Sequence, residues 1–110
     1  MIKLLKLILL TSFLSTAWAA EDNSIIIDVR TTDEWQAGHL QFAKHLPLDR
    51  VEAEITELVA DKNTKVYLYC RSGNRSGKAK AILDSLGYST AINAGGITQA
   101  SQLLNQEIVQ

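Results

Sequence analysis

The chain holds one cysteine and one proline in 110 residues, and only 6% of it is aromatic. A lone cysteine excludes an internal disulfide, and with it the cross-linked scaffold common in small exported domains. It also excludes the Cys-x-x-Cys of a thiol–disulfide oxidoreductase. One cysteine with two scattered histidines, His39 and His45, argues against a metal site. Repeats and low-complexity tracts are missing, so solenoid and linker architectures are set aside. No apolar run reaches the about 20 residues that a comfortable membrane span needs. What remains is ordinary globular composition, 46% apolar and 21% charged, at a length that suits one domain.

The amino end reads as an address. Lys3 and Lys6 precede an apolar stretch from Leu7 to Leu14, and Ala17-Trp18-Ala19 fits an A-x-A cleavage site. The expectation is a cleavable signal peptide over 1–19, a mature domain over 20–110 and a periplasmic location. No cysteine follows the cleavage site to carry a lipid, so no stable membrane association is expected after cleavage. Of 11 Lys and Arg, loss of Lys3 and Lys6 leaves nine against 12 Asp and Glu, a net charge of −3. That balance argues against nucleic acid as a partner. A monomer is the prior for so small an acidic domain.

Strand and helix patterns alternate along the rest. Ile25 to Val29 is a β-branched run, read as a strand buried on both faces. Thr31 and Glu34 have capping-box spacing and predict a short helix stopped at Gly38. Phe42 to Leu46 predicts a weak strand ended by Pro47. A second helix is predicted to start at Asp49, with Val51, Ile55, Leu58 and Val59 on one face. Lys65 to Tyr69 is the central-strand candidate. Ala79, Ile82, Leu83 and Leu86 mark a helix from near Ser76, closed by Gly87. Thr90 to Asn93 is a last short strand, Gly95-Gly96 a turn, and Ile97, Ala100 and Leu104 a final helix. Strands separated by helices predict an α/β fold, a small, mostly parallel sheet with helices on both faces. In such sheets sites form at strand carboxyl ends. Asp28-Val29-Arg30, Cys70 with its loop, and Asn93 to Gly96 all fall there.

The stretch YCRSGNRSGKA, 69–79, carries the chemistry. Cys70 ends the central strand, and Arg71, Ser72, Gly73, Asn74 and Arg75 follow before the helix. Glycine at 73 permits a backbone turn that aims successive N–H groups at one point, an anion-binding nest. The helix amino end and two arginines add positive potential. Each favours thiolate over thiol, so Cys70 should titrate below the free value of about 8.5. Neither histidine has anything to recommend it as a protease-type base. Phosphoryl transfer and sulfur transfer both use a cysteine beneath such a cradle. Cys70 and Arg75 enclose four residues, C-x4-R, where cysteine-dependent phosphatases have C-x5-R. The smaller cradle favours a single sulfur atom.

Here the sequence resembles the rhodanese (thiosulfate sulfurtransferase) family. IIDVRTTDEWQAGHL (26–40), HLPL (45–48), YCRSGNRSGKA (69–79) and NAGGI (93–97) carry the resemblance in order and spacing, most like the periplasmic single-domain rhodaneses of phage-shock type. The resemblance implies a rhodanese-like three-layer fold. It implies ping-pong transfer from thiosulfate through a persulfide on Cys70 to cyanide or a thiol, with no cofactor or metal. It makes residues 71–75 the cradle, and Arg71 or Arg75 the holder of the sulfonate, with Arg75 favoured at the loop-closing position. Asp28 and Arg30 become structural support, Gly95 and Gly96 the means of close approach, and Trp35 a packing residue. Alternatives are a persulfide carrier with little turnover and a small cysteine-dependent phosphatase. Departures from the family pattern fall at Gln41-Phe42, at Lys44-His45, and at Gln99-Ala100, where a tryptophan is common.

Overall fold

The computed structural model describes residues 23–110; the expected signal peptide lies outside them. A four-stranded sheet runs in the order β3 (Lys44–His45), β1 (Ile25–Asp28), β4 (Lys65–Cys70), β5 (Thr90–Gly96), all parallel. Four helices connect and cover it: α1 (Thr32–Ala37), α2 (Leu48–Leu58), α3 (Asn74–Ser85) and α4 (Ile97–Leu104). No helix among the described residues is long and apolar enough to cross a membrane.

The central strand shows why the chain layers as it does. Side chains alternate across a strand. Val66, Leu68 and Cys70 therefore join Ile27 and Val29 on one face, against Val51 and Ile55 of α2 and Ala79 and Leu83 of α3. Tyr69 points the other way, into a smaller core with Leu40, Ala94 and Ala100 of α4. Helices cover both faces, as the alternating pattern predicts.

Several boundaries differ from expectation. The predicted strand 42–46 narrows to Lys44–His45, and Phe42 stands in an exposed turn. Helix α2 starts one residue before Asp49, with Pro47 at the cap and no side-chain cap bond. Asp49 instead occupies the first turn, where its charge suits the helix dipole. Helix α3 begins at Asn74, two residues before Ser76, because Gly73 at φ 98° turns the chain directly into it. Strand β5 runs on through Gly95 and Gly96 rather than turning there, and Ala94 is bulged out of register. A two-stranded antiparallel ribbon, β2 (His39–Leu40) with β6 (Ile108–Val109), has no counterpart in the sequence reading.

Candidate active site

The three strand ends meet. Asp28 pairs in register with Tyr69, and Tyr69 with Gly95; Cys70 stands beside Gly96. The bulge at Ala94 sets this alignment, since without it the Gly-Gly pair would lie one residue out of step.

Cys70 is buried at the base of its loop. The Gly73 N–H donates to its Sγ at 2.9 Å, the Ser76 N–H at 3.4 Å, and the Ser76 hydroxyl lies 3.4 Å away. Burial pushes the thiol up. It is outweighed by the hydroxyl and N–H of Ser76 and the N–H groups of Ser72 and Gly73, and the pKa falls to about 7. The cradle on sulfur is thus Ser72, Gly73 and Ser76. Arg71, Asn74 and Arg75, also expected in it, make no hydrogen bond to sulfur among the described contacts. The sequence pattern marks Ser76 only as a helix start; its position six residues after the cysteine is the signal for its place at the sulfur.

The arginines divide by partner. Arg30 is buried and grips buried Asp28, with Nε 3.0 Å from both carboxylate oxygens and Nη2 2.7 Å from Oδ2. Its backbone N–H donates to the same carboxylate at 2.8 Å, and Nη2 also donates to the Gly38 carbonyl. The Tyr69 hydroxyl accepts from the Leu40 N–H at 3.0 Å. Arg50 pairs with Glu54 on the surface of α2. Arg75 turns from the cysteine to Glu34, with two bonds of 2.7 and 3.0 Å. Glu34 also closes the α1 capping box through Thr31. Hydrogen bonding by Arg75, against a burial penalty and aided by Thr31, lowers the Glu34 pKa to about 2. Arg71 is exposed and alone of the four has no carboxylate partner among the described residues.

Glycine is required where backbones touch. A Cβ on Gly96 would overlap the Arg71 carbonyl. Trp35 stacks on His39 with ring centroids 3.5 Å apart and on His45 at 4.9 Å. Each imidazole donates one N–H to a backbone carbonyl, His39 to Trp35 and His45 to Arg30. Both histidines are thereby held in packing positions. No cluster of three or more His, Cys, Asp or Glu able to hold a metal occurs among the described residues. A groove of about 360 Å³ runs beside the loop, lined by Val29, Thr31, Pro47, Leu48, Asp49 and Arg75.

This arrangement has relatives. The chain is 45% identical over 71 residues to the thiosulfate sulfurtransferase PspE of Escherichia coli, covering 64% of this chain and 68% of that one. It is 34% identical over 83 residues to a sulfurtransferase of Allochromatium vinosum, with 76% of each covered. A solved rhodanese with anions from E. coli superposes with a TM-score of 0.67 at 42% identity, over 69% of this chain and 89% of that one. The family model for the rhodanese-like domain matches residues 15–102, and the chain belongs to that family.

Proposed function

We propose that the protein transfers sulfane sulfur from thiosulfate, through a persulfide on Cys70, to cyanide or a thiol acceptor. The carrying observation is a lone thiol, its pKa lowered to about 7, held under the N–H groups of Ser72, Gly73 and Ser76. In the first step the thiolate attacks the outer sulfur of thiosulfate. A Cys70–sulfur bond forms, the sulfur–sulfur bond of thiosulfate breaks, and sulfite leaves with the bonding pair. In the second, the acceptor attacks the terminal sulfur and the Cys70 thiolate returns. Atoms and electrons balance without a cofactor, since sulfur itself is the group carried. The N–H cradle stabilises negative charge on the sulfur throughout, as an oxyanion hole does on oxygen.

Arg71 is the arginine left to meet the sulfonate, because Arg75 is engaged by Glu34. The groove lined by Val29, Pro47 and Leu48 offers room for the body of a thiol acceptor. The names of PspE and of the A. vinosum relative support the reaction class. The leader pattern over 1–19 supports a periplasmic location.

Intact-protein mass spectrometry under non-reducing conditions tests the reading. Thiosulfate should add the mass of one sulfur atom, cyanide should remove it, and Cys70→Ser should prevent it. Gain in the Cys70→Ser protein would sink the proposal. Loading without release to any acceptor would point to a carrier, and phosphate-ester cleavage without loading to a phosphatase.

A further inference from the structure

Asn93, on β5, makes three hydrogen bonds around the cysteine loop. Its Nδ2 donates to the Gly73 carbonyl at 3.0 Å. Its Oδ1 accepts from the Ser76 hydroxyl at 2.7 Å and from the Gly95 N–H at 2.9 Å. The two backbone partners fix which end of the amide is which, since a carbonyl only accepts and an N–H only donates. The Ser76 hydroxyl therefore lies between Asn93 Oδ1 at 2.7 Å and Cys70 Sγ at 3.4 Å, held within hydrogen-bond reach of both. Gly73 and Ser76 both touch the sulfur. One side chain thus grips the cradle at two points and ties it to the Gly-Gly segment.

A second observation concerns Gly77, inside α3. Glycine in a helix interior costs roughly 1 kcal/mol relative to alanine. A Cβ at Gly77 would stand 3.2 Å from Asn93 Nδ2. The helix leaves open the space beside the amide.

We propose that Asn93 is a positioning residue for Cys70, holding the Gly73 N–H and Ser76 in place against Sγ. The inference rests on the reading of Cys70 as the nucleophile. Asn93 is exposed, so water competes for its bonds and the expected effect is moderate.

The test is the pH dependence of iodoacetamide alkylation in the full protein and in Asn93→Ser and Gly77→Ala. Serine at 93 still accepts from the N–H two residues on, but is too short for the Gly73 carbonyl. Asn93→Ser should keep the wild-type melting temperature. Its alkylation midpoint should rise by about half a pH unit, slowing reaction below the midpoint roughly threefold. Gly77→Ala should hold or raise the melting temperature while slowing alkylation. Unchanged pH profiles in folded variants would overturn the inference. If Asn93→Ser does not fold, the wild-type protein decides by NMR. The Asn93 side-chain amide resonances should shift as Cys70 ionises, and resonances that stay still overturn it. A wild type that alkylates readily yet takes no sulfur from thiosulfate would count against the proposed function and leave the role of Asn93 standing.

Discussion

Arg75 holds both carboxylate oxygens of Glu34, at 2.7 and 3.0 Å, and so joins the cysteine loop to the first turn of α1. A carboxyl held at about 2, against an ordinary 4.5, stabilises the folded state. That contribution is present above pH 4.5 and is lost as pH falls through 2. Arg75 and Glu34 are 30% and 27% exposed, and solvent screening reduces the value to ~1 kcal/mol. Glu34→Gln should therefore lower stability by about that amount at pH 7 in urea unfolding. The gap to wild type should close as pH falls from 4.5 toward 2. A gap that does not change with pH would assign the loss to the cap alone.

The cysteine predicts a different pH response. A thiol lowered to about 7 is half ionised at neutral pH, where a free thiol is only a few per cent ionised. The alkylation rate should rise with pH and reach half its maximum near 7. The same depressed value makes the thiolate's contribution to folding full above the unfolded pKa, and lost as pH falls through 7. A midpoint near 8.5 would show that the N–H groups do not act on the sulfur.

Local signals made much of this legible. The Thr31–Glu34 spacing marked α1, the β-branched run from Ile25 marked β1, and a cysteine before a glycine-bearing polar loop marked the site. What stayed hidden depends on residues far apart in sequence. Arg75 and Glu34 are separated by 41 positions, and Ser76 and Asn93 by 17. No spacing rule announces that Glu34 both caps a helix and holds an arginine. The bulge at Ala94 exists to bring Gly95 and Gly96 beside Tyr69 and Cys70, so only the paired strand reveals it. The β2–β6 ribbon joins residues about 70 apart, with no turn between them to signal it.

Arg71 offers a charge at the loop with no carboxylate partner among the described residues. Under the proposed reaction, Arg71→Ala should raise the thiosulfate KM about tenfold, the value of one hydrogen bond to a charged group. The effect should shrink with added salt, and kcat should change little. An equal loss in kcat with KM unchanged would place Arg71 on the transition state instead.

Asp28 and Arg30 lie 0% and 6% exposed, and the carboxylate receives four bonds from Arg30. Removing one partner of such a pair strands the other charge, at a cost of about 3–5 kcal/mol. Asp28→Asn should lower stability on that scale in denaturant unfolding. Asp28→Leu combined with Arg30→Met should cost less than the sum of the single changes, because neither charge is then left alone. Additive losses would show that the two residues act independently.

Gly96 tests how closely the two backbones must approach. A Cβ there would overlap the Arg71 carbonyl, and backbone cannot step aside as a flexible side chain can. Its φ of −77° is open to any residue, so the constraint is space and not conformation. Gly96→Ala should cost about 1–3 kcal/mol as the loop shifts to make room. The same shift carries the Gly73 N–H away from Sγ. Under the proposed reaction, persulfide formation should therefore slow by about tenfold or more, since small misplacements at a reacting centre have large effects on rate. Stopped-flow loading by thiosulfate, measured beside the melting temperature, separates the two effects. A variant that loses stability but loads at the wild-type rate would show that the close contact at Gly96 serves the fold and not the sulfur.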